Sequence, residues 1–216
     1  MPHVKVTLRL RPVLGIDEAQ AYGEEAGAAR LPNSLVGFGE SRPAVLLDGE
    51  ESGVASYGGK RFKFAEAFGP EARTEDVFAK GQRDAVLGVL NGFDATLMAY
   101  GSTGAGKTHT MYGTDYAPGL VPLALDALFE QMSTGNVSYA LQLSALELLE
   151  ERCIDLLHDR APVVLRAVGG GGLVFAGLRE VTVSTKAQLL GLVATAFACR
   201  TTGTNHRHDA SSRSHL

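Results

Sequence analysis

Residues 99–111 read AYGSTGAGKTHTM and place Gly101, Gly106, Lys107 and Thr108 at the spacing G-x-x-x-x-G-K-[ST]. No other feature constrains the fold as strongly. Such a loop works where a strand delivers the chain to it and a helix carries the chain away, because successive backbone N–H groups then converge on one anion. Gly101, Gly104 and Gly106, with Ala105 between the last two, leave the backbone free to wrap around a phosphate chain. Ser102 and Thr103 complete the loop. Lys107 is expected to reach the β- and γ-phosphates and the Thr108 hydroxyl to join the shell of a Mg²⁺ ion. The positive end of the helix that starts there adds its dipole.

The flanks have the periods that this context needs. ATLMAY, residues 95–100, is a short unbroken apolar run of the kind a buried parallel strand shows. Before it, Thr74 is expected to cap a helix whose Glu75 and Asp76 favour the positive end. Phe78, Ala85, Val86, Val89 and Leu90 fall on one stripe of that helix, and Asn91-Gly92 ends it. After the loop a helix is expected to run, with a break near Pro118 to Pro122, through LALDALFEQM. Val4, Val6, Leu8 and Leu10 alternate with polar residues as a strand with one face buried, and Pro12 stops it.

Residues 15–58 read as an irregular or hairpin-bearing excursion. Residues 139–159 mix both periods and read as a strand passing into a short helix. VVLRAVGGGGLVFAGLREVTVS predicts strands around a glycine hairpin, followed by a helix capped by Ser184 and running to about Ala198. Strands alternating with helices predict one α/β domain over 1–216, with a mostly parallel central sheet covered by helices on both faces.

Composition narrows the partners. The net charge of −4 on 216 residues argues against a dedicated nucleic-acid binder. MPHVKVTLRLRP lacks the apolar core of a signal peptide, and no run approaches the length of a membrane span. Cys153 and Cys199 read as free thiols of a reducing compartment, so a cytoplasmic protein is expected. His206, His208 and His215 with Cys199 match no standard zinc spacing. Arg200, Arg207 and Arg213 against Asp209 make the same region locally basic. It is either a solvated loop or a surface for phosphate or an acidic filament.

AYGSTGAGKTHTM resembles the kinesin motor signature, in which an aromatic-glycine pair leads into the loop and H-T-M follows GKT. VTLRLRP resembles the first kinesin strand ending in R-x-R-P, NGFDATLMAYG the approach to the loop, and SSRSH, residues 211–215, kinesin switch I. These landmarks run in kinesin order from residue 4 to 216. The resemblance implies a P-loop NTPase that binds ATP and Mg²⁺ and couples hydrolysis to binding and movement along microtubules, with tubulin as partner and the cytoskeleton as location.

The resemblance also assigns roles. Arg9, Arg11 and Pro12 would border the adenine with His109. Ser211 and Ser212 would approach the γ-phosphate and Mg²⁺, with Ser212 among the metal's ligands. Arg213 would pair with a switch II glutamate, so Lys107, Ser211, Ser212 and Arg213 form the catalytic set. The chain departs from the kinesin pattern at Ala65, where an aspartate is usual, in LSALELLEER, which lacks a tyrosine, and at His208, where the switch has asparagine. The D-x-x-G-x-E of kinesin switch II is absent. The chain is therefore expected to be the N-terminal two thirds of a motor domain, truncated before the switch II strand. The alternative expectation is a non-motile remnant that binds nucleotide without significant turnover.

Overall fold

The computed structural model describes residues 4–11, 45–48, 52–102, 104–114, 116–134, 137–149, 151–204 and 214–215. The chain forms two compact units, Met1–Leu128 and Phe129–Leu216, and the boundary falls inside one helix.

In the first unit, β1 (Thr7–Arg9) pairs in parallel with β5 (Glu66–Phe68), with Thr7 opposite Glu66 and Arg9 opposite Phe68. Pairing starts at Thr7, so Val4 and Val6 lie outside it and are exposed, while Leu8 and Leu10 are half-buried. The expected alternation therefore covers only its second half. β2 (Val45–Leu47), β3 (Val54–Tyr57) and β4 (Lys60–Lys63) make an antiparallel three-stranded sheet, the hairpin foreseen in this stretch. Residues 15–44 lie outside the described residues.

The helix after Thr74, here α1, is built from Thr74–Val77, a wide π turn over Phe78–Gln82, Arg83–Gly88 and a 3-10 turn over Val89–Asn91. Thr74 is its first turn rather than its cap. Arg73 holds the cap position, its N–H donating to the Asp76 carboxylate at 3.1 Å. The π turn explains the burial pattern. It takes in one extra residue, so the eighth position after Phe78 falls where a seventh would in an unbroken α-helix. Val77, Phe78 and Val86 are buried accordingly, while Ala85 and Val89 turn outward. Gly92, at φ 84°, closes the helix as foreseen.

Helix α2 (Lys107–Tyr112) leads into a short hairpin, β6 (Gly113–Thr114) and β7 (Ala117–Pro118), and then α3 (Leu120–Thr134). The predicted break near Pro118 is that hairpin. Leu120 and Ala127 of α3 join Phe68, Val77, Phe78 and Val86 in the core, and Leu97 and Met111 pack against it. Met111 thereby ties α2 to the core.

Residues 93–100 correct the expected buried strand. Among the described residues no strand pairs with this segment, and Phe93, Met98 and Tyr100 are exposed, the last at 95%. An apolar run becomes a parallel strand only when neighbours hydrogen-bond to its edges. Leu97 alone reaches the core. Of the mostly parallel sheet expected, the described strands hold one parallel pair, β1–β5, and every other pair among them is antiparallel.

In the second unit, β9 (Leu146–Leu149), β10 (Arg152–Asp155), β11 (Pro162–Val168), β12 (Gly172–Ala176) and β14 (Ser214–His215) form one antiparallel sheet ordered β12-β11-β10-β9-β14. β8 (Leu141–Leu143) pairs with β13 (Val181–Val183). The β11–β12 pair is the predicted glycine hairpin.

The short helix expected within residues 139–159 is instead the β9–β10 hairpin, turned at Glu151 with φ 68°. Two buried carboxylates favour the strand. Asp155, fully buried, accepts N–H groups from Leu157 at 2.8 Å and Arg179 at 2.6 Å. Glu147, also buried, pairs with Arg160 at 2.8 Å, and Arg160 donates in turn to the Cys199 carbonyl at 2.8 Å. These bonds, all but that from Leu157 between residues well separated in sequence, satisfy polar groups that burial would otherwise leave costly.

Helix α4 (Lys186–Thr204) is capped by Thr185, whose hydroxyl accepts the Gln188 N–H at 3.2 Å. Ser184, the predicted cap, donates its N–H to the Gln188 side chain at 2.9 Å. Cys153 and Cys199 are not joined in a disulfide. No helix of the described residues is long and apolar enough to cross a membrane.

Candidate functional site

The loop of residues 101–106 is a turn held from within. The Ala105 N–H donates to the Ser102 carbonyl at 3.1 Å, and the Thr110 N–H donates to the Gly106 carbonyl at 2.9 Å as the first bond of α2. Gly104 at φ 78° and Gly106 at φ 90° occupy the left-handed region, which glycine enters without the steric cost of a Cβ. The spacing of glycines thus sets the turn that the motif requires.

Lys107 folds back over this turn. Its Nζ donates to the carbonyls of Gly101 and Ser102, each at 2.9 Å. An ammonium held by neutral carbonyls can exchange them for phosphate oxygens, which make stronger charge-assisted bonds. Thr108, the next residue, is exposed, so its hydroxyl is open to a hydrated cation.

The end of β1 and the residues just after it supply two cations. Arg9 Nη1 donates to the Thr110 hydroxyl at 3.1 Å, and its Nη2 reaches the Ala72 carbonyl at 3.5 Å. Arg11 Nη1 donates to the Gly104 carbonyl. Burial lowers the Arg9 pKa, and the Glu75 carboxylate partly opposes that. His109 is half-buried, and its pKa is lowered first by burial and then by Arg9 and Arg11. Its imidazole is therefore neutral near pH 7 and adds no charge to a site already holding Lys107, Arg9 and Arg11. Three cations around a glycine turn fit a polyphosphate, and an exposed hydroxyl beside Lys107 fits one position in the shell of a Mg²⁺ ion.

The structure thus brings Arg9, Arg11, Gly101, Ser102, Gly104, Ala105, Gly106, Lys107, Thr108 and His109 to one region of the first unit. Thr103, Pro12, Ser211, Ser212 and Arg213 lie outside the described residues, as do His206 and His208. Among the described residues, no group of three or more His, Cys, Asp or Glu could hold a metal ion.

Sequence reasoning missed Thr110 and Glu75. Thr110 follows Lys107 by three positions and so shares its helix face, a readable signal. Glu75 is remote in sequence and carries none.

Comparison with known proteins adds the family. The kinesin motor domain model matches residues 44–216. The chain is 34% identical over 171 residues to the kinesin-like protein Klp61F of Drosophila melanogaster, covering 72% of this chain and 16% of that protein. It is 32% identical over 213 residues to the kinesin-like protein KIN-10C of Oryza sativa subsp. japonica, covering 98% of this chain and 34% of that protein. The structure of a fast kinesin, described for its ATPase mechanism and interactions with microtubules, superposes with a TM-score of 0.79 at 26% identity. That match covers 98% of this chain and 57% of the other.

Proposed function

The chain belongs to the kinesin motor-domain family, and on that premise we propose that it binds Mg²⁺-ATP at residues 101–108, within a motor that hydrolyses ATP on microtubules. The kinesin motor fold, a P-loop NTPase fold, is shared with the fast kinesin. The observation that carries the reading is Lys107, with its ammonium turned onto the carbonyls of a left-handed glycine turn.

On this reading Lys107 leaves Gly101 and Ser102 for the β- and γ-phosphate oxygens, and the loop N–H groups supply the remaining donors. The Thr108 hydroxyl and Ser212 would hold Mg²⁺, which would supply neutralisation of the phosphate charge. Arg9, Arg11, Pro12 and neutral His109 border the base. Ser211 and Ser212 are assigned to sensing the γ-phosphate and Arg213 to pairing with a switch II glutamate. Tubulin is the assigned partner and the cytoplasmic cytoskeleton the location.

Titration of a fluorescent ATP analogue, with and without Mg²⁺, tests the site. Lys107→Ala removes charge-assisted bonds worth about 1.5–3 kcal/mol, so affinity is expected to fall at least about tenfold. Equal affinity in the variant refutes the assignment. Co-sedimentation with microtubules, with and without nucleotide, tests the partner separately.

A further inference from the structure

Arg9 is the last residue of β1, and Arg11 follows it by two residues. Both direct their guanidinium groups at the framework of the phosphate loop. Arg11 donates to the Gly104 carbonyl at the loop's apex. Arg9 donates to the Thr110 hydroxyl at 3.1 Å, one turn into the helix that follows the loop, and reaches the Ala72 carbonyl at 3.5 Å ahead of α1.

From this geometry we infer that Arg9 and Arg11, besides bordering the base, are positioning residues, which hold the phosphate loop in shape and thereby set its affinity for the polyphosphate itself. The inference rests on the nucleotide-binding reading of residues 101–108.

A loop with glycine at 101, 104 and 106 has little conformational preference of its own and loses more backbone freedom on ordering than other sequences do. Helix α2 spans only Lys107–Tyr112, below the length at which a helix is stable by itself. Whether the loop's N–H groups converge therefore depends on restraints from outside the loop. The planar fork of Arg9 can hold two acceptors at once, which the point charge of a lysine cannot do in the same geometry. Arg11 fixes the peptide plane between Gly104 and Ala105, whose N–H faces the Ser102 carbonyl at 3.1 Å. Restraints of this kind raise affinity by removing the ordering cost of binding.

The full 216-residue chain, with Arg9→Met, Arg9→Lys, Thr110→Val and the Arg9→Met/Thr110→Val double variant, tests this in two readouts. The first is affinity for Mg²⁺-ATP, Mg²⁺-GTP and inorganic tripolyphosphate. The second is amide hydrogen exchange of residues 104–112 without ligand.

Thr110→Val is expected to weaken all three ligands alike, by about tenfold, and Arg9→Met to weaken all three, tripolyphosphate included, by at least as much. The double variant should be no weaker than Arg9→Met alone, Arg9→Lys should restore little, and exchange of 104–112 should quicken. Thr110→Val keeps every charge, so its loss cannot come from the field of the arginine. If Arg9→Met does not fold, this variant carries the test. Loss confined to ATP and GTP with tripolyphosphate unaffected overturns the inference, as does a Thr110→Val chain that behaves as wild type in both readouts. If wild type binds none of the ligands, the nucleotide reading fails instead. Exchange then decides the positioning role, with quickened amides supporting it and unchanged amides overturning it.

Discussion

Replacing Gly106 with alanine isolates backbone conformation at the start of α2. Gly106 has φ 90° and ψ 21°, a region that costs a residue bearing a Cβ about 1–2 kcal/mol. A Cβ built there meets nothing within 4 Å, so no overlap adds to that cost. Alanine also has fewer unfolded conformations than glycine, which offsets about 0.4–1 kcal/mol. The net loss is expected near 1 kcal/mol, a fall in Tm of about 2–4 °C for a chain of this size. Gly106→Asn should lose less, because asparagine enters the left-handed region more readily.

Gly113→Ala, at the other end of the same helix, provides the contrast. Gly113 has φ 81°, and a Cβ there would lie 2.1 Å from the Ala117 carbonyl oxygen and 2.4 Å from the Gly119 nitrogen. Strain and overlap act together, and the expected loss is about 3 kcal/mol or more. Urea denaturation followed by circular dichroism ranks the four proteins, with wild type most stable, then Gly106→Asn, Gly106→Ala and Gly113→Ala. If Gly106→Ala is as damaging as Gly113→Ala, open space around the Cβ has been misjudged and the reasoning is refuted. If alanine is tolerated better than asparagine, left-handed strain is not what the position selects against.

The lowered His109 pKa makes stability depend on pH. The unfolded chain, with histidine near its ordinary 6.5, takes up the proton more readily than the folded one, so this contribution is present above 6.5 and is lost as pH falls from there through the folded value. A series of melts should slope below pH 6.5 and flatten in His109→Gln. Arg160→Met leaves the Glu147 side chain, 2% exposed, without its cation, and urea denaturation should show a loss of about 3–5 kcal/mol. Adding Glu147→Leu should recover most of that, because the uncompensated buried charge is then gone. Thr185→Ala removes the cap of α4 and should cost about 1 kcal/mol in the same assay.

Features set by residues close in sequence were the legible ones. The left-handed glycines of the loop, the helix that follows it, its interruption before Pro118, the stop at Gly92 and the hairpin at residues 169–171 all follow from local backbone chemistry. The caps were misread by one residue, Arg73 for Thr74 and Thr185 for Ser184, because neighbouring residues offered equivalent chemistry. The stripe of α1 was misplaced because nothing local marks the π turn over Phe78–Gln82. The hairpin of β9 and β10 was read as helical because Leu146, Leu149, Cys153 and Leu156 fit that period. The partners that favour a strand, Arg160 and the Arg179 N–H, lie outside the window.

The sequence by itself determined that a glycine turn carrying Lys107 and Thr108 stands at the head of a helix, because spacing and φ preference are properties of a few adjacent residues. Tertiary structure decided what surrounds that turn. It placed Arg9 on Thr110 and Arg11 on Gly104, set Glu75 near Arg9, lowered the His109 pKa and left residues 93–100 without a strand partner among the described residues. Each of these depends on groups far apart in the chain meeting at a few ångströms. Hydrogen bonding, burial and charge act over those distances in space, whatever the separation along the sequence.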